Sequence, residues 1–134
     1  MTSELVRILT DGGHTLVVSG TSLRTFDGRG VRDLYRLLTT EPEVLDGAAV
    51  ADKVVGKAAA ALMILGGVRE LYACVLSEQA QTLLSASSIR VDYGRTVPHI
   101  INRDNTGWCP LERLCRDCDT AGECKKQIDE FFNQ

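Results

Sequence analysis

Residues 51–67 read ADKVVGKAAAALMILGG, and the rest of the chain has to be built around them. From Lys53 to Leu65 the only charges are Lys53 and Lys57; the other positions are Val, Gly, Ala, Leu, Met and Ile. A helix that is apolar nearly all round has no face to give to water, so it belongs in an interior. Asp52 can cap such a helix and Gly66-Gly67 ends it, which predicts a helix from Lys53 to about Leu65. Gly56 and the alanines would let a second backbone come close.

Working outward, Leu71 to Leu76 reads as a buried strand and Ser77 opens a helix through Leu84. Ile89 to Tyr93 and Val97 to Ile101 are two further strand candidates, and Cys74 reads as a core residue of the first strand. On the other side, Gly47 to Ala51 is a short apolar segment. Before it, Val31, Leu34, Tyr35, Leu37 and Leu38 mark one face of a helix that Glu41-Pro42 stops. His14 to Ser19 and Thr21 to Phe26 form a hairpin about Ser19-Gly20, and Leu5, Val6, Ile8 and Leu9 mark a leading helix over Ser3 to Thr10. Strands alternating with helices predict an α/β fold, a three-layer α/β/α sandwich; the leading hairpin makes its sheet mixed. Residues 1–108 are expected to form this body, with 109–134 a cysteine-rich helical tail packed on it.

A chain of 134 residues suffices for one domain with a core. The net charge of −3 and the lack of any Lys/Arg run argue against non-specific nucleic-acid binding. No stretch approaches the roughly 20 apolar residues of a membrane span. The opening MTSELVRIL reads as an amphipathic helix rather than a signal peptide, so a cytoplasmic protein is expected. In a reducing compartment five cysteines point to metal or redox chemistry rather than a disulfide framework.

Cys109, Cys115, Cys118 and Cys124 follow the spacing C-x5-C-x2-C-x5-C. Four thiolates can complete a tetrahedral zinc site or hold an iron–sulfur cluster, and the spacing leaves both open. Pro110 predicts a helix starting just after Cys109, and Thr120 with Glu123 forms a capping box that puts Cys124 in the first turn of the last helix. The blander reading is four small residues packing a terminal helix.

Three further groups are candidates. The polar run Asn102-Arg103-Asp104-Asn105-Thr106-Gly107 suits a ligand loop, with Asn102, Arg103 and Thr106 as contacts, or is merely a connection. Cys109, if it holds no metal, becomes a candidate nucleophile. Lys53 and Lys57 are four apart, giving either an anion pocket oriented by Asp52 or two lysines reaching solvent. His14 and His99 are isolated and read as ordinary surface or strand-end residues.

The order of elements, with ADKVVGKAAA and NRDNTGWCPLE, resembles a bacterial family of unknown function that has the cytidine-deaminase fold. Zinc deaminases place His-x-Glu at one helix head and Pro-Cys-x-x-Cys at the next. The resemblance sets Asp52-Lys53-Val54 and Leu76-Ser77-Glu78-Gln79-Ala80 at those two positions, so the zinc ligands and the catalytic acid are missing. It implies the fold without the deaminase mechanism, and a pocket lined by Asp52, Lys53 and Lys57 with Ser77 and Glu78 opposite. Three functions follow: a module binding a nucleotide-like or anionic ligand; an enzyme using Asp52, Lys53 or Cys109; or a redox or metal-responsive protein.

Overall fold

The apolar segment around Val50 becomes the central strand of a five-stranded mixed sheet. The computed structural model describes residues 2–28, 31–102 and 104–133. The chain opens with helix α1 (Thr2–Asp11), the hairpin strands β1 (Leu16–Ser19) and β2 (Leu23–Phe26), and helix α2 (Arg32–Thr40). A single 3-10 turn (Pro42–Val44) leads into β3 (Ala49–Val55), α3 (Lys57–Gly66), β4 (Glu70–Ser77), α4 (Glu78–Ser85) and β5 (Arg90–Val97). Two helices finish it, α5 (Pro110–Cys115) and α6 (Ala121–Phe132).

The sheet order is β2-β1-β3-β4-β5. β1 pairs antiparallel with both β2 and β3, whereas β3, β4 and β5 run parallel. A hairpin can join antiparallel neighbours directly, but parallel neighbours need a crossover, and α3 and α4 supply the two crossovers. Because side chains alternate along a strand, the two sheet faces bury different residues. Val17, Ala49 and Ala51 pack against Leu5 and Leu9 of α1. Leu16, Val18, Val50, Leu71 and Ala73 join the larger cluster that includes α2, α3, α4, α5 and α6.

Helix α3 is buried as its composition demands: Ala58 to Met63 are all 3% exposed or less. Gly67 closes it in the left-handed region, φ +79°, where a side chain would be strained. Its start differs from expectation. The helix begins at Lys57 with Gly56 as N-cap, and residues 52–55 continue β3, paired with β4 through Asp52–Ala73, Val54–Val75 and Val55–Leu76. The β-branched pair Val54-Val55 extends the strand, and Gly56 is the true break. Likewise β5 is one strand, and Val97 to Ile101 is not another: Ile101 makes only an isolated bridge to Trp108. That bridge closes the polar loop, and the His99 ring stacks on Trp108 at 4.1 Å. The capping box is present as predicted, with both Thr120 and Glu123 engaged. No helix among the described residues is long and apolar enough to cross a membrane.

Candidate functional site

A cavity of about 470 Å³ opens at the end of β3. Its walls come from the head of α2 (Val31 to Asp33), β3 (Asp52 to Val54), residues 100–102, the head of α5 (Cys109 to Glu112) and the end of α6 (Phe131, Phe132). Most of this lining is apolar, so a polar group set into it stands out. Asp52 is one such group. Only 8% exposed, it has no side-chain hydrogen-bond partner or ion pair among the described residues. Burial pushes its carboxyl up to about 8, offset in part by the backbone N–H groups of Val54 and Lys53. At neutral pH the group is therefore mostly a neutral acid, able both to donate and to accept a hydrogen bond.

The end of α6 that lines the cavity is braced by Tyr35 of α2. Its hydroxyl donates to Asp129 Oδ1 at 2.7 Å, and its ring stacks on Phe132 with centroids 4.6 Å apart. That hydrogen bond, with a second from Lys125, holds the Asp129 carboxyl below its ordinary value, while the phenol of Tyr35 is raised by the same contact.

A further acid on the wall, Glu112, was not foreseen as part of a site. It is 1% exposed. Oε1 accepts from the Lys57 backbone N–H at 2.8 Å and from Gln79 Nε2 at 2.6 Å, and Oε2 accepts from the Ile100 N–H at 2.7 Å. Gln79 Nε2 also donates to the Glu112 carbonyl at 2.9 Å. One carboxyl thus joins the heads of α3 and α4 to the strand-like segment before the polar loop. A faint signal exists in the sequence: Glu112 is three residues before Cys115, so it shares the helix face that buries Leu111 and Cys115.

The sequence candidates separate. Asp52, Lys53, Asn102 and Cys109 line the cavity; Lys57, Ser77, Glu78 and Thr106 do not, and Arg103 lies outside the described residues. Lys53 is exposed at the cavity mouth, but Lys57, 7% exposed, turns away. Its ammonium donates to the carbonyls of Arg116 and Cys118, so neither the anion pocket using both lysines nor the escape of both to solvent holds. Ser77 is the buried N-cap of α4, accepting from the Ala80 N–H at 3.1 Å, and Glu78 is exposed in the first turn. Thr106 serves the loop itself: its N–H donates to Asn102 Oδ1 and its hydroxyl accepts from Asn102 Nδ2, each at 3.0 Å. The triplet Asp52-Lys53-Val54 lies in β3 rather than at a helix head, which corrects the correspondence drawn from the deaminases.

The cysteines divide too. Cys109 is the N-cap residue of α5, half-buried on the cavity wall, with its N–H donating to the Ile100 carbonyl at 2.9 Å. The Cys115 thiol donates to the Cys124 backbone carbonyl at 3.9 Å. The contact with Cys115, followed by burial, pushes the Cys124 thiol far up, and burial followed by Cys124 raises Cys118. Among the described residues no group of three or more His, Cys, Asp or Glu side chains is arranged to hold an ion. All five cysteines are free.

No protein of curated function matches the sequence. The fold matches the crystal structure of a DUF1893 family protein (TM1506) from Thermotoga maritima with a TM-score of 0.88. The two are 22% identical, and the match covers 96% of this chain and 88% of that one. At that identity the likeness speaks for the architecture alone. With residues 4–132 matching the family described as TM1506, domain of unknown function (DUF1893), the chain belongs to that family.

Proposed function

We propose that this domain binds a small nucleotide-like ligand in the cavity beside Asp52, with the heterocycle inside and an anionic group at the mouth. The supporting observation is Asp52 itself, a mostly buried acid facing an apolar cavity without a described side-chain partner. Burying a carboxyl that meets only two neighbouring backbone N–H groups costs stability, and a ligand bearing amino or ring-nitrogen groups would recover part of that loss. The exposed Lys53 and Arg32 on the lining disfavour a cationic ligand and suit a phosphate or carboxylate. Phe131 and Phe132 offer apolar surface for a ring.

The finer fold belongs to the same proposal. Helix α1 on one sheet face and the other helices on the opposite face support a three-layer sandwich. The strand order and the two parallel crossovers support the deaminase-like topology, used here without deaminase zinc chemistry. Five free cysteines fit the reducing cytoplasm.

The test is a thermal-shift panel of nucleosides, nucleoside monophosphates and inorganic phosphate. At least one monophosphate is expected to raise Tm more than its nucleoside does, and Asp52→Ala to remove the shift. No response across the panel, or a response untouched by Asp52→Ala, overturns the reading. An enzymatic reading has one observation in its favour: Cys109 shares the cavity wall with Asp52. Selective alkylation of Cys109 over the other four thiols would support it. A zinc or iron–sulfur site in the tail would need Cys115, Cys118 and Cys124 to draw together, since among the described residues no three such side chains are arranged to hold an ion. Elemental analysis of anaerobically purified protein tests it, and Cys109 is left out of that ligand set.

A further inference from the structure

We propose that Glu112 is a built-in ligand: its carboxyl fills an anion pocket formed by the Lys57 N–H, the Ile100 N–H and the Gln79 side-chain amide, a pocket that accepts a small carboxylate such as formate once the side chain is removed. This inference stands apart from the ligand proposed for the cavity.

Three donors from three separate segments converge on one group, at 2.8, 2.7 and 2.6 Å. Lys57 is the first residue of a ten-residue helix, so its N–H is among those left without an intrahelical acceptor, and the helix dipole favours negative charge there. Ile100 sits just ahead of the polar loop and uses its N–H on Glu112 rather than on a strand neighbour. Gln79 spans both the side chain and the carbonyl of Glu112. The pocket is shaped as well as charged. A Cβ added at Gly56 would stand 3.0 Å from Glu112 Oε1 and 3.1 Å from an Ile100 side-chain carbon, so the glycine leaves room for the acid.

Filling this pocket from within has a structural consequence. Glu112 is delivered by α5, the same helix that carries Cys109 and Leu111 into the cavity wall. The carboxyl therefore positions that wall against β3, and the site between the two helix heads is closed to external anions in the native chain.

Chemical rescue tests it. Glu112→Ala is expected to lower Tm by roughly 10 °C, because buried donors lose their acceptor. Sodium formate should restore most of that loss with saturable concentration dependence, while sodium chloride at equal ionic strength does not. Recovery by formate no better than by chloride overturns the proposal. Should the alanine variant not fold, Gly56→Ala reads the same pocket. Faster amide exchange at Lys57 and Ile100, with other helix-start amides unchanged, supports it; unchanged exchange at both overturns it.

Discussion

Asp52 and Glu112 are two acids on the wall of one cavity, 8% and 1% exposed, and their surroundings could hardly differ more. Glu112 accepts from three N–H donors on three segments. Among the described residues Asp52 accepts only from the Val54 and Lys53 backbone N–H groups, and burial leaves it mostly protonated near neutral pH. A fully partnered acid is a structural joint, since its hydrogen bonds are complete without any visitor. One met only by its neighbours' backbone N–H groups keeps capacity for a visitor, and such groups concentrate where something binds. Burial by itself would have ranked the two the other way.

Substitutions can break this contrast, beginning with the largest expected effect. Glu112→Leu removes the acceptor from the buried Lys57 N–H, the part-buried Ile100 N–H and one of the two bonds made by the Gln79 amide. A loss of about 3–5 kcal/mol in urea unfolding is expected; a loss under about 1 kcal/mol would show that the joint is dispensable. Asp52→Asn should act in the opposite direction. The folded value of Asp52 is raised to about 8, above the ordinary carboxylate value, so the folded state holds a proton that the unfolded chain gives up. Its contribution to stability is fully present below about pH 4 and is lost as pH rises to and through 8. The asparagine variant should flatten that decline, gaining a few kcal/mol over the native chain at pH 8.5 and nearly nothing at pH 4. Parallel stability–pH curves for the two proteins would remove Asp52 from its special position.

Smaller effects sharpen the picture. Lys57→Met keeps the length of the side chain but deprives the carbonyls of Arg116 and Cys118 of their donor. About 2 kcal/mol is expected, measured by thermal unfolding. Tyr35→Phe keeps the stack on Phe132 and deletes only the hydrogen bond to the half-exposed Asp129. About 0.5–1 kcal/mol should be lost at pH 7. Because Tyr35 helps hold Asp129 below its ordinary value, that difference should shrink as pH falls through the carboxylate range. A constant difference down to pH 2 would mean that the hydroxyl acts through packing instead.

Much of this was legible because its causes are local. An apolar run between Gly56 and Gly67 reads as an interior helix whatever surrounds it, and the Thr120–Glu123 capping box is defined within four residues. The hairpin, with Leu16 opposite Phe26, follows from β-branched runs around a tight turn. The error at the head of α3 was also local: Asp52 is a plausible cap, but Val54-Val55 had already committed the chain to a strand. The joint at Glu112 was hidden because its partners are 12, 33 and 55 residues away, and no pattern along the sequence carries that information. The cysteine spacing promised one centre of four. The short α5 instead sets Cys109 at its head on the cavity wall and Cys115 at its other end, in the core. Distance along the chain said nothing of the helix between them.

The stacking of His99 on Trp108, 4.1 Å between centroids and 9° from coplanar, gives the molecule its own indicator. Trp108 is the only tryptophan, so its emission reports one place: the bridge closing the polar loop beside the cavity. A ligand that parts the two rings would therefore change the brightness of the whole protein through a single chromophore, and occupancy could be followed without a label.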